Sequence, residues 1–135
     1  MFKDTLFTIV SENVSDGTAE CNIQLNSEHP IYKGHFPSDP ITPGVCIVQM
    51  VTDLFSHIQK QDFVLNKVKN VKFIQIIRPT EHPIVTYKLN WEPEEDGAYK
   101  IKAIVCYHET VFSKISVTTV KSPIATSHHN RSTGI

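Results

Sequence analysis

His35 stands in the run Gly34-His35-Phe36-Pro37, and prolines follow at 40 and 43, the last opening Pro43-Gly44-Val45. An unperturbed imidazole titrates near neutral pH, so a histidine takes and returns a proton without extreme tuning. Prolines at every third position favour a stiff, extended segment. Each also turns its predecessor (Phe36, Asp39, Thr42) away from helical geometry. Pro43 suits the first position of a helix, where its missing N–H costs nothing, and Thr42 suits the N-cap. The spacing therefore predicts a rigid strap that carries His35 into a helix whose first N–H groups belong to Gly44, Val45 and Cys46. A base facing oriented N–H donors suits removal of a proton next to a carbonyl, with the amides holding the developing oxyanion. Gly44, lacking a Cβ, lets that carbonyl approach the backbone.

Each assignment competes with a plainer one. An isolated loop histidine is more often a packing residue, but inside this strap the catalytic reading of His35 leads. Gly44 follows it, since glycine is also tolerated at helix starts. The other histidines lack such context. His29 and His82 precede prolines, His57 sits on the helix, His108 ends a strand, and His128-His129 lies near the C-terminus. No His, Cys and carboxylate spacing suggests a metal. Cys21, Cys46 and Cys106 are widely spaced and fit neither a disulfide framework nor a zinc site. Free buried thiols in a reducing cytoplasm are expected.

The elements that must position this chemistry are few. Leu6 to Val10 is a short β-rich run, Ser15-Asp16-Gly17 a turn, and Thr18 to Leu25 an alternating strand. Residues 26–42 read as loop. Pro43 to about Gln59 is the one convincing helix, with apolar residues around most of its circumference, so it is expected to be buried. Its polar positions, Gln49, Thr52, Asp53 and Ser56, fall on one narrow stripe. Phe63 to Ile77 reads as a long strand with a bend or bulge. Pro83 to Trp91 alternates, Glu92 to Gly97 is an acidic hairpin turn, and Tyr99 to His108 and Val111 to Val120 form two strands about a turn at Glu109-Thr110. Residues 1–121 are expected to form one domain and residues 122–135 a polar, disordered tail.

Hydrophobic residues make up 40% of the 135, enough for a core, and the formal net charge of −1 gives no reason to propose nucleic acid or an anionic membrane as partner. No apolar run approaches membrane-spanning length. The first residues lack a signal-peptide pattern, which leads to the expectation of a cytoplasmic protein.

Residues 34–45 resemble the 3-hydroxyacyl-acyl-carrier-protein dehydratases of fatty-acid synthesis. That family's pattern is Gly-His-Phe-Pro, two residues, Pro, two residues, Pro-Gly-Val, then a carboxylate on the helix. Everything but the carboxylate is present here, and the likeness extends more weakly from about residue 5 to residue 121. The resemblance implies an α+β hot-dog fold, an antiparallel sheet wrapped around one central helix. It implies His35 as catalytic base and the Gly44 amide as the group that polarises the thioester carbonyl, with Val45 and Phe36 beside the substrate.

The family's acid lies fourteen residues after the histidine, where this chain has Gln49. An amide hydrogen-bonds a hydroxyl but cannot protonate a leaving group. The related dehydratases commonly place the carboxylate there and a glutamine four residues later. Here the order is reversed, Gln49 then Asp53, a displacement of roughly 6 Å along one helix face. Asp53 is either a displaced acid or a solvated helix-face carboxylate.

Lys72-Phe73 and Arg78-Pro79 look like the family's strand ending in Phe, a basic residue and Pro. The spacing is longer here, and Thr80-Glu81-His82-Pro83 replaces the family's Pro-Gly-Asp turn. The implied activity is dehydration of 3-hydroxyacyl thioesters carried by acyl carrier protein or CoA, with no metal or redox cofactor. The implied assembly is a homodimer or higher oligomer, with a heterodimer as a variant, each site combining His35 of one subunit with helix residues of the other. Lys67, Lys69 and Lys72 suit docking of an acidic carrier protein, or simply a solvated face. Two alternatives stand beside this reading: a non-catalytic acyl-binding or heterodimer partner, and a hot-dog thioesterase.

Overall fold

Six strands form one antiparallel sheet in the order β1-β2-β4-β5-β6-β3, as seen in a computed structural model that describes residues 1–34 and 38–123. The strands are β1 (Phe7–Ser15), β2 (Thr18–Leu25), β3 (Phe63–Phe73), β4 (Ile84–Pro93), β5 (Tyr99–Tyr107) and β6 (Thr110–Lys121). The helix α1 (Gly44–Gln59) comes between β2 and β3. β1 and β3 are the sheet edges, and both line a groove along α1, so the sheet curls around the helix. Alternation builds the inner face. Ala19, Cys21, Ile23 and Leu25 of β2 point inward, as do Val85, Tyr87 and Leu89 of β4 and Ile101, Ala103 and Val105 of β5. Against them pack Met50, Val51, Leu54 and Phe55 of α1. The Phe55 ring meets Phe63 at 4.9 Å, Tyr99 at 5.1 Å and Trp91 at 5.5 Å.

Several boundaries differ from the sequence reading for local reasons. β1 runs on to Ser15 because Ser11 to Ser15 pair with β2 in spite of their polarity, after a bulge between Ile9 and Ser11. β3 stops at Phe73, after bulges near Leu65 and Val68. The apolar residues Ile74 and Ile76 beyond it are exposed. The last hairpin turns at His108-Glu109 rather than Glu109-Thr110, with His108 at φ 52°. A short 3₁₀ turn at Pro30–Tyr32 lies inside the segment read as loop. The expected tail from residue 124 onward lies outside the described residues.

One buried polar contact ties sheet to helix. The Tyr87 hydroxyl donates to the Ile47 carbonyl at 3.0 Å. Burial, with Asp53 nearby, pushes the Tyr87 phenol far up, so it remains a neutral donor. Tyr87→Phe is expected to lower unfolding stability by about 1 kcal/mol. Chemical denaturation checks this, and an unchanged midpoint contradicts it.

Among the described residues no helix is long and apolar enough to cross a membrane. The three cysteines are buried and free. Burial, together with Glu12 and Glu20, pushes the Cys21 thiol up to about 11.

Candidate active site around the helix

The helix begins one residue later than the strap suggests. Pro43 is extended (φ −62°, ψ 143°) and is itself the N-cap, with no side-chain cap bond. Thr42 does not cap, because its hydroxyl is paired with the Tyr32 hydroxyl at 2.9 Å, both residues being buried. Its N–H donates to the Ile77 carbonyl at 2.9 Å. The Cys46 and Ile47 N–H groups both donate to the Pro43 carbonyl, at 3.0 and 3.1 Å. The N–H groups of Gly44 and Val45 have no acceptor among the described residues. They stand at the positive end of the helix, where an oxyanion is favoured.

Gly44 and Val45 border an apolar groove of about 650 Å³, walled by Ile41, Thr42 and Pro43 on one side and Phe73 to Ile76 on the other. Val45 is 79% exposed and Phe73 54%. A Cβ on Gly44 would stand 2.7 Å from Cζ of Phe73. A side chain at this position would therefore have to displace the Phe73 ring, which rests on the helix start.

Gln49 and Asp53 come together as the reversed order suggested. The Gln49 Nε2 donates to Asp53 Oδ1 at 2.9 Å. Asp53 is no solvated helix-face carboxylate, being 7% exposed. Its Oδ2 accepts the Phe2 N–H at 2.8 Å, and the Met1 ammonium lies 3.1 Å from Oδ1. A substrate hydroxyl reaching Asp53 must compete with these donors. Thr52, placed on the same stripe by the sequence, is wholly buried. The stripe that faces the groove is Gln49, Asp53, Ser56 and His57. This second groove, of about 1410 Å³, runs between β1 and the start of β3.

One chain thus divides the expected residues between two grooves. Gly44 and Val45 border the first, Gln49 and Asp53 the second. Five residues of α-helix turn through about 140° beyond a full circle, so Gly44 and Gln49 point to different sides. His35 and Phe36 lie outside the described residues.

Two pairings of a basic with an acidic side chain, distant in sequence, escaped the sequence reading. His57 Nε2 contacts Glu12 Oε1 at 2.8 Å, clipping β1 to the last turns of α1. Arg78 grips Asp39 through two bonds, Nε to Oδ1 at 2.9 Å and Nη2 to Oδ2 at 3.2 Å. The first was hidden because β1 extends beyond its apolar run. The Phe2 contact to Asp53 is made by a backbone N–H, which leaves no signature in residue type.

A family model described as ApeI-like, ApeI dehydratase, matches residues 11–115. The chain belongs to the ApeI-like dehydratase family. A 3-hydroxyacyl-[acyl-carrier-protein] dehydratase FabZ from Lactobacillus helveticus is 26% identical over 88 residues, covering 60% of this chain and 57% of that protein. The chain therefore spans little more than half of that relative. Among solved structures, the dehydratase heterocomplex ApeI:P from Xenorhabdus doucetiae gives a TM-score of 0.65 at 17% identity, covering 84% of this chain and 96% of that one. A putative thioesterase, yhdA from Lactococcus lactis, gives 0.61 at 9% identity, covering 91% and 98%. At these identities the structural likenesses carry the hot-dog fold and nothing finer. Membership in the ApeI-like family rests on the sequence match, which includes the strap, Gly44, Gln49 and Asp53.

Proposed function

We propose that this ApeI-like protein is a hydro-lyase that removes water from 3-hydroxyacyl thioesters, giving 2-enoyl thioesters. The observation that carries the reading is the helix start. Gly44 and Val45 offer N–H groups without acceptors among the described residues, beside an apolar groove and at the end of the strap motif. The thioester carbonyl oxygen accepts from the Gly44 N–H, and the acyl chain lies along Phe73 to Ile76. His35 takes the C2 proton, and the electron pair moves onto the carbonyl oxygen held at Gly44. As that pair returns to form the C2–C3 double bond, the C3–O bond breaks. The imidazolium just formed gives its proton to the leaving hydroxyl, which departs as water.

Gln49 orients that hydroxyl. Because its Nε2 is committed to Asp53, its Oε1 is left to accept. Asp53 acts by holding Gln49. The working unit is a homodimer in which the strap and helix start of one subunit meet the Gln49–Asp53 stripe of the other, joining two grooves that a single chain keeps on different sides of α1. Carrier protein or CoA delivers the substrate, and the exposed Lys67, Lys69 and Lys72 of the β3 edge suit an acidic carrier.

A second reading is favoured by one observation. The position of the family's acid holds Gln49, and the oxygens of Asp53 are already engaged. On that reading the chain binds acyl groups and pairs with an active dehydratase.

The test is a coupled assay on short and medium 3-hydroxyacyl and 2-enoyl thioesters, run beside a thiol-release assay. Interconversion with the thioester intact is the expected result. Thiol release alone would transfer the chain to the thioesterases. Gln49→Glu is expected to raise turnover about tenfold or more by supplying a proton donor. Asp53→Asn is expected to lower it several-fold, because one amide oxygen must then serve both the Gln49 amide and the Phe2 N–H. A wild-type homodimer that is inert, and cured by Gln49→Glu, would favour the second reading. Unchanged activity in Asp53→Asn would remove Asp53 from the site.

A further inference from the structure

Arg78 has no part in the chemistry above, yet it makes the two-pronged contact with Asp39. Its neighbour Ile77 is buried and accepts the Thr42 N–H. Residues 39 and 42 of the strap are thus tied to residues 78 and 77, which follow β3. These two segments continue into the walls of the apolar groove, Ile41 to Pro43 opposite Phe73 to Ile76. The inner end of the strap is fixed separately through Tyr32 and Thr42.

We propose that Asp39 and Arg78 form a positioning clasp that sets the width of the apolar groove at the start of α1, and with it the length of acyl chain the groove accepts. This rests on the reading of that groove as the acyl site. Two parallel bonds between a guanidinium and a carboxylate fix angle as well as distance, which a lysine cannot do. Both side chains are solvent-accessible, at 33% and 51%, so the pair contributes little to global stability and its effect is local. The hydrogen bonds from Arg78 hold the Asp39 carboxyl below its usual range, and the same bonds raise Arg78. The folded-state shift of Asp39 is downward, so the clasp is present above the ordinary aspartate range and is lost as pH falls through the lowered value.

The experiment compares wild type with Asp39→Asn, Arg78→Gln and the exchanged pair Asp39→Arg/Arg78→Asp. Each is titrated calorimetrically with hexanoyl-, octanoyl- and dodecanoyl-CoA, with thermal melts in parallel. The single variants are expected to lose about three- to tenfold of the discrimination between chain lengths, with little change in melting temperature. The exchanged pair is expected to recover it. Unchanged discrimination in the single variants overturns the clasp. So do losses that simply add in the exchanged pair, or a wild type that binds none of the three. Binding needs no turnover, so a protein that discriminates chain lengths but never dehydrates would refute the dehydratase reading and leave the clasp standing.

Discussion

His35→Ala is expected to lower turnover on 3-hydroxyacyl thioesters by about 10²–10⁴-fold, the usual worth of a positioned general base. In the proposed mechanism the imidazole acts twice, first on C2–H and then on the leaving hydroxyl. Its removal should therefore suppress hydration as strongly as dehydration. Acyl-CoA binding should persist, because the groove at Gly44 is built by other residues. Steady-state rates in both directions, with calorimetric binding beside them, check this. Turnover within a few-fold of wild type removes His35 from the mechanism.

A loss of about 10²–10³-fold is expected for Gly44→Val, on the scale of a removed oxyanion donor. The geometry gives a sharper version. A Cβ at Gly44 meets the Phe73 ring at 2.7 Å, and Phe73 is half exposed and able to swing away. Gly44→Ala alone therefore mixes two effects, a displaced ring and a blocked carbonyl. Phe73→Ala removes the first. If Gly44 serves the carbonyl, Gly44→Ala/Phe73→Ala stays as slow as Gly44→Ala. Recovery to the rate of Phe73→Ala would make Gly44 only a packing glycine. The fold is expected to survive, since alanine is the better helix former.

What the sequence made legible follows from where its physics is local. The alternation of Thr18 to Leu25 and the apolar girth of residues 44–59 were read almost to the residue, because periodicity reports burial directly. The strap motif pointed to Gly44 because glycine and proline act through backbone geometry. The cap was misplaced by one position because Thr42 has a tertiary competitor, Tyr32, that no local rule contains. The Gln49–Asp53 contact was foreseeable from four-residue spacing. The burial of Asp53 beneath the N-terminal turn was not, because its partners are a backbone N–H and a terminal ammonium more than fifty residues away. The same holds for Arg78 and Asp39, which only the fold brings together.

The central claim is that the protein makes and breaks a proton bond at C2 of a thioester that stays intact. Incubation of a 2-enoyl-CoA with the protein in deuterium oxide, followed by proton NMR, tests it most directly. The expected product is the 3-hydroxyacyl-CoA carrying one deuterium at C2, with no free CoA. Free CoA with a carboxylic acid, or an enoyl thioester unchanged after exhaustive incubation, would contradict it.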